Sequence, residues 1–337
     1  MLSSITKKDI EDAHERVRSV VRKTPLELHA GLSKKYGAHV YLKREDLQAV
    51  RSYKLRGAYN RIAQFTDEER RRGAVCASAG NHAQGFAYSC HALDIDGVVY
   101  MPRTSPKQKV ERVQDFGDGR ITIKLVGDTF DEAYAAACEH VDAYGSVLVH
   151  PFDDAEVIAG QGTIGVEILD QLGHAEVDYV VVPVGGGGLA SGVGTYLHHA
   201  SPRTRMIGVE PMGAASMKAS FDAGKVVALD RIDTFADGVA VKRVGQLTYS
   251  ICEEVLSDIV VVPEGKLCET MIELYQKDGI VAEPSGALSV SALDALADRI
   301  RGRTVVCVIS GGNNDIGRYP EVVARYRVYK GSEAFFV

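Results

Sequence analysis

The feature that most constrains this chain is a series of short, continuously apolar, β-branched runs separated by longer amphipathic stretches, typified by Tyr179-Val180-Val181-Val182. A run that is apolar at every position belongs to a strand covered on both faces. Strands that alternate with amphipathic stretches build βαβ units around a mostly parallel sheet. Strand candidates fall at 38–42, 74–77, 97–101, 121–126, 147–150, 178–184, 205–210, 258–262 and 304–309. The fold class is therefore α/β. At the start, Thr6 followed three residues later by Asp9 signals a helix N-terminus, and Ile10, Ala13, Val17 and Val20/Val21 recur at helical spacing.

A chain of 337 residues exceeds what one hydrophobic core usually serves, so two domains are expected. No linker, repeat or low-complexity segment marks the boundary. No apolar run has the length of a membrane span, and the first residues, Met1-Leu2-Ser3-Ser4, open no secretory signal, so a cytoplasmic protein is expected. The net charge is −6 with both signs interspersed, which argues against a nucleic-acid partner. Cys76, Cys90, Cys138, Cys252, Cys268 and Cys307 form no Cys-x-x-Cys pair and read as reduced, mostly buried thiols rather than metal ligands.

Three segments carry more chemistry than fold maintenance requires. In Ser52-Tyr53-Lys54-Leu55-Arg56-Gly57-Ala58, a lysine stem lying against small residues would be desolvated, its pKa lowered and its amine made nucleophilic. On local evidence alone the reading of Lys54 as a solvated surface lysine stands ahead of the nucleophilic one. The stretch Ala77-Ser78-Ala79-Gly80-Asn81-His82-Ala83-Gln84-Gly85 follows a strand candidate and opens a helix, a place where free backbone N–H groups receive a carboxylate. A capped turn, with Ser78 and Asn81 serving only backbone donors and His82 a structural hydrogen-bonder, competes evenly. Four successive glycines, Gly185-Gly186-Gly187-Gly188-Leu189, after the apolar run suit a phosphate at a helix start.

A different enzyme class also fits part of this pattern. Gly185-x-Gly187-x-x-Ala190 matches a dinucleotide fingerprint, with the acid Glu210 following at about the twenty-residue spacing of that motif. A NAD-dependent dehydrogenase would explain the glycines, yet it leaves Lys54, the Ser78–Gly85 loop and Ser310-Gly311-Gly312-Asn313-Asn314 without a role.

Together, these four segments resemble the fold-type-II pyridoxal-phosphate enzymes, and most closely the biosynthetic threonine dehydratases, over residues 5–325. The resemblance implies two domains of the tryptophan synthase β type: a large one from residues 1–49 and 148–325, a small one from 50–147, and pyridoxal 5'-phosphate between them. It implies that Lys54 carries the cofactor as a Schiff base, that Asn81 contacts its ring hydroxyl, that Gly185, Gly186, Gly187, Gly188 and Leu189 hold its phosphate, and that Ser310 meets the pyridine nitrogen. Ser78, Ala79, Gly80 and His82 would line the substrate carboxylate site.

The implied reaction is dehydration and deamination of L-threonine to 2-oxobutanoate and ammonia, an ammonia-lyase step of isoleucine biosynthesis, with L-serine as a further substrate. Serine or hydroxyaspartate dehydratase and serine racemase are the alternatives within the same fold. Related racemases have a serine where this chain has Ala79, so the donor needed for reprotonation on the other face is missing. The apolar ring of Phe152, after His150-Pro151, would take the threonine methyl. Tyr53 stands where Phe is common. Some relatives bind a divalent cation near the counterpart of Glu210, but Ser216 replaces their second acid, so no metal is expected. Segment 326–337 resembles the start of a regulatory domain, which implies a truncated or naturally shortened chain. The apolar Phe335-Phe336-Val337 and the family habit imply a homodimer or homotetramer.

Overall fold

The computed structural model describes residues 5–173 and 176–331. In chain order its strands are β1 (Leu26–Leu28), β2 (His39–Arg44), β3 (Ala74–Ala77), β4 (Gly97–Met101), β5 (Ile121–Leu125), β6 (Val147–Leu148), β7 (Tyr179–Pro183), β8 (Arg205–Pro211), β9 (Leu256–Val262) and β10 (Thr304–Ile309). They form a six-stranded sheet ordered β1-β2-β10-β7-β8-β9 and a four-stranded sheet ordered β5-β4-β3-β6. Every pairing is parallel except the edge pair β1 and β2.

The apolar runs do what their pattern requires. Along β7, Tyr179 and Val181 enter one core while Val180 and Val182 enter the other, and β10 divides the same way between Val305/Cys307/Ile309 and Val306/Val308. Both faces are dry, so both parities must be apolar. In the four-stranded sheet, Ala74 and Cys76 face the core beneath the helix Asn81–Ala92, while Val75 and Ala77 face the core beneath the helix Phe130–Tyr144.

All nine strand candidates are present with ends within two residues; 147–150 shrinks to Val147–Leu148, and β1 adds a strand that the pattern did not reveal. The first helix, Lys7–Val17, starts at the expected Thr6–Asp9 capping box but stops before Val20 and Val21, which pack beside Val17 from the turn that follows. Phe335-Phe336-Val337 lies outside the described residues.

The helix Lys54–Ile62 sits between two others, and glycine makes both crossings close. A Cβ on Gly160 of the helix Ala155–Gln171 would fall 2.6 Å from the Arg56 carbonyl, and one on Gly85 of the helix Asn81–Ala92 would fall 2.9 Å from the Leu55 nitrogen. Gly57 likewise admits Gln161 and Val157 of the helix Ala155–Gln171. It serves helix packing, a different job from the expected one of lying against the Lys54 stem. Arg56, fully buried, donates to Glu45 and Glu167 and pins this helix to the large-sheet side.

Candidate active site

Between the two sheets lies a cleft of ≈ 1160 Å³, whose walls include Lys54, Asn81, Gly186, Phe152, Glu283 and Asn313. Ser78, Ala79, Gly80, His82, Gly185, Gly187, Gly188 and Leu189 also face it. Buried Ser310 lies at the end of β10, joined to the segment that precedes the lysine: Tyr53 N donates to the Ser310 carbonyl (3.1 Å), Ser52 bridges Gly311, and Gly312 N donates to the Arg51 carbonyl (2.9 Å). Four segments far apart in sequence thus converge.

Lys54 is the first residue of its helix and is partly exposed to the cleft, its Nζ donating to the Pro151 carbonyl at 2.7 Å. Burial penalises the ammonium and the Glu283 charge opposes that penalty, leaving the amine at about 8, well below an ordinary lysine. The ring of Tyr53 lies 5.4 Å from Nζ.

Across the cleft, Gly187, at φ 98°, turns the chain into the helix Gly188–Ala200, which no side chain caps. The first N–H groups of a helix lack intrahelical partners and favour an anion. The loop also needs its glycines for space: a Cβ on Gly186 would lie 2.3 Å from the Phe152 ring, and one on Gly185 would lie 2.7 Å from Val239 Cα.

Gly80 caps the helix Asn81–Ala92 and has open space where a Cβ would stand. Ser78 accepts from Gly80 N, as a capped turn would have it. Asn81 does not serve backbone donors: its Nδ2 donates to Glu283 (2.6 Å) and its Oδ1 accepts from Asn313 (2.8 Å). His82 Nε2 donates to the Val149 carbonyl (2.9 Å). Burial and the nearby Lys54 charge push His82 down to about 3, so it faces the cleft as a neutral ring. His150, pushed down to about 4 by burial, accepts from Phe152 N and Asp153 N and stands edge-on to the Phe152 ring.

The walls are short of polar partners. Arg51 Nε, His82 Nδ1, Ser105 Oγ and both amide atoms of Asn314 are buried there without a hydrogen bond, the condition of a site shaped for a polar ligand. A lysine amine with a lowered pKa and a glycine-built anion cradle fit the aldehyde and phosphate of pyridoxal phosphate, while the Ser310 hydroxyl, buried behind the wall, donates to the Ser285 carbonyl at 3.3 Å.

The family model "Pyridoxal-phosphate dependent enzyme" matches residues 17–311. The chain belongs to that family. This pyridoxal-phosphate dependent enzyme is 53% identical over 335 residues to the biosynthetic L-threonine dehydratase of Bacillus subtilis, covering 99% of this chain and 79% of that protein. It is 50% identical over 336 residues to the biosynthetic L-threonine dehydratase of Halalkalibacterium halodurans, covering 100% and 81%. The processed threonine deaminase isoform 2 of Solanum lycopersicum superposes with a TM-score of 0.90 at 40% identity, covering 95% of this chain and 88% of that one.

Two features depart from the sequence reading. Glu210, considered above only as the acid of a dinucleotide or cation site, is fully buried and accepts from Met217 N and Lys218 N, both at 2.8 Å. It caps the helix Ser216–Ala223, and among the described residues no group of three His, Cys, Asp or Glu could hold a metal ion. Glu283 escaped notice altogether. The available signal was a lone acid in Ile280-Val281-Ala282-Glu283-Pro284, placed before a helix with proline at its start.

Proposed function

We propose that this pyridoxal-phosphate dependent enzyme is an L-threonine ammonia-lyase that forms 2-oxobutanoate and ammonia and also accepts L-serine. The observation that carries the reading is the lowered Lys54 amine sharing one cleft with the uncapped, glycine-built start of the helix Gly188–Ala200. The near-full-length likeness to biosynthetic threonine dehydratases supports the substrate choice.

Bound pyridoxal phosphate supplies an electron sink that lets an amino acid's Cα–H bond break and its β-substituent leave. Gly185 to Leu189 would hold the phosphate through backbone N–H groups, Asn81 would meet the ring hydroxyl, and Ser310 would serve the pyridine nitrogen. A serine hydroxyl, unlike an aspartate, does not hold that nitrogen protonated, which favours prompt elimination. Lys54 would hold the cofactor covalently and is the base placed to take the Cα proton; an amine near 8 keeps a usable neutral fraction near neutral pH, where an ordinary lysine has almost none. Ser78, Gly80 and the start of the Asn81 helix receive the substrate carboxylate, while neutral His82 shapes that wall without adding charge. Ala79 offers no second proton donor, so elimination outruns racemisation.

The two walls belong to a large domain, 1–49 with 148–325, and a small one, 50–147, which close on substrate and exclude water. Among the described residues no helix is long and apolar enough to cross a membrane; the assembly proposed is a cytoplasmic homodimer or homotetramer. The test is keto-acid release from L-threonine and L-serine by wild type and Lys54→Ala. Faster threonine turnover and a dead variant are expected; no release from either amino acid by the cofactor-loaded wild type overturns the substrate assignment.

A further inference from the structure

We propose that Glu283 is a positioning residue for Asn81: with Asn313, it fixes which end of the Asn81 amide faces which wall, so that an N–H is presented to the cofactor. The proposal rests on the cleft being a pyridoxal-phosphate site. It concerns a residue that makes no step of the reaction itself.

An asparagine amide has a donor end and an acceptor end of nearly the same shape, so its neighbours must choose between two orientations. Here the choice is forced from both sides. Nδ2 of Asn81 donates to Glu283 Oε1 at 2.6 Å, and Oδ1 accepts from Asn313 Nδ2 at 2.8 Å. Turned over, the amide would set its oxygen against the carboxylate and its NH2 against the NH2 of Asn313. Both contacts would then be repulsive. The bond to Glu283 uses one of the two hydrogens on Nδ2, and Asn81 lines the cleft, so the second remains to meet a ligand oxygen.

Glu283 is itself held in place. Ser285 Oγ donates to the same Oε1 at 2.7 Å, and Glu283 N donates to the Gly311 carbonyl at 3.2 Å. The carboxylate is walled by glycine: a Cβ on Gly311 would lie 2.5 Å from Oε1, and one on Gly238 would lie 2.3 Å from Ser285 Oγ. Asn313 is anchored in turn by its bond to the Val50 carbonyl at 2.8 Å. Asn81 heads a helix of the four-stranded sheet, whereas Glu283 and Asn313 come from the side of the six-stranded sheet. The amide is therefore set only when the two walls stand in register.

A glutamine at 283 can still offer an oxygen to Asn81, whereas alanine cannot. This separates orientation of the amide from the mere filling of space. The experiment titrates apoprotein with pyridoxal phosphate and follows the absorbance of the bound chromophore for wild type, Glu283→Ala, Glu283→Gln and Asn313→Ala. No substrate is needed, so a failure of the threonine assignment leaves this readout intact. Loss of one hydrogen bond to a charged acceptor predicts a roughly tenfold rise in Kd and a shifted absorbance maximum in Glu283→Ala, with Glu283→Gln within about threefold of wild type. Asn313→Ala, which leaves Glu283 in place, moves Kd in the same direction. Glu283→Ala binding within twofold of wild type with an unchanged spectrum overturns the proposal, as does equal impairment of the Gln and Ala variants. If Glu283→Ala does not fold, Asn313→Ala decides: unchanged Kd and spectrum overturn the proposal.

Discussion

At the residue scale the site depends on holding one lysine amine near neutrality. Lys54 has an unfolded value of 10.5 and a folded value of about 8, with burial as the lowering cause and Glu283 as the opposing one. Only the neutral amine attacks an aldehyde, so the rate of pyridoxal phosphate capture by apoprotein rises with pH and levels off above about 8, a curve stopped-flow absorbance would trace. Glu283→Gln removes a charge that raises Lys54, and the midpoint therefore moves to lower pH. A midpoint near 10 in the wild type would mean that the amine is solvated. His82 and His150, at about 3 and 4, stay neutral across this range and leave no inflection of their own. Phe152 belongs to the same scale. Its ring presses on Gly186 and faces the cleft, so Phe152→Asn loses apolar wall, and the threonine-to-serine ratio of kcat/KM should fall by roughly tenfold, a methyl group's worth of discrimination. An unchanged ratio would remove Phe152 from the methyl pocket.

At the element scale, Glu210 shows how a strand end organises the helix after it. Burial raises its carboxyl from 4.5 to about 7, while the two backbone donors at 217 and 218 oppose that rise. Because the folded value lies above the unfolded one, the native state binds the proton more tightly; this stabilisation is complete below about 4.5 and is lost as pH rises through 7. Glu210→Gln keeps an accepting oxygen without a charge to desolvate. Urea unfolding should find it closest to wild type near pH 5 and gaining on wild type by pH 8, whereas Glu210→Ala loses about 1–2 kcal/mol as a lost cap does. Elements of this kind also show what a sequence reveals. The strands β7 and β10 were legible because burial on both faces writes itself as unbroken apolarity. β1 was not: Leu26-Glu27-Leu28 is too short to display a period, and its strand character comes from pairing with β2. The tetraglycine was legible as a local pattern, whereas Lys54 and the Asn81 loop stood out only through the resemblance that joins the four segments. Glu283 was not, because its role exists only once Asn81, more than two hundred positions earlier, is brought against it.

At the scale of the whole molecule, the lysine, the glycine cradle and the Ser310 segment are brought together only by folding, so a cofactor bound as proposed would bridge the joint between them. A ligand that binds only the folded chain stabilises it by roughly 2.7 kcal/mol at a hundred times its Kd, which for a chain this long amounts to roughly 4 °C in Tm. Stripping pyridoxal phosphate should lower Tm by about that much in calorimetry, and adding it back should restore the loss in a concentration-dependent way. Two variants divide the effect between the ends of the cofactor. Lys54→Ala loses the covalent tie but keeps the cradle, so part of the rise survives. Gly186→Val drives a Cβ into the Phe152 ring, which the structure holds 2.3 Å from that position, and so deforms the cradle while leaving the lysine in place. If the valine variant keeps the full rise and Lys54→Ala loses all of it, the phosphate is not held by the tetraglycine, and the charge at the start of the Gly188 helix must serve some other part of the ligand.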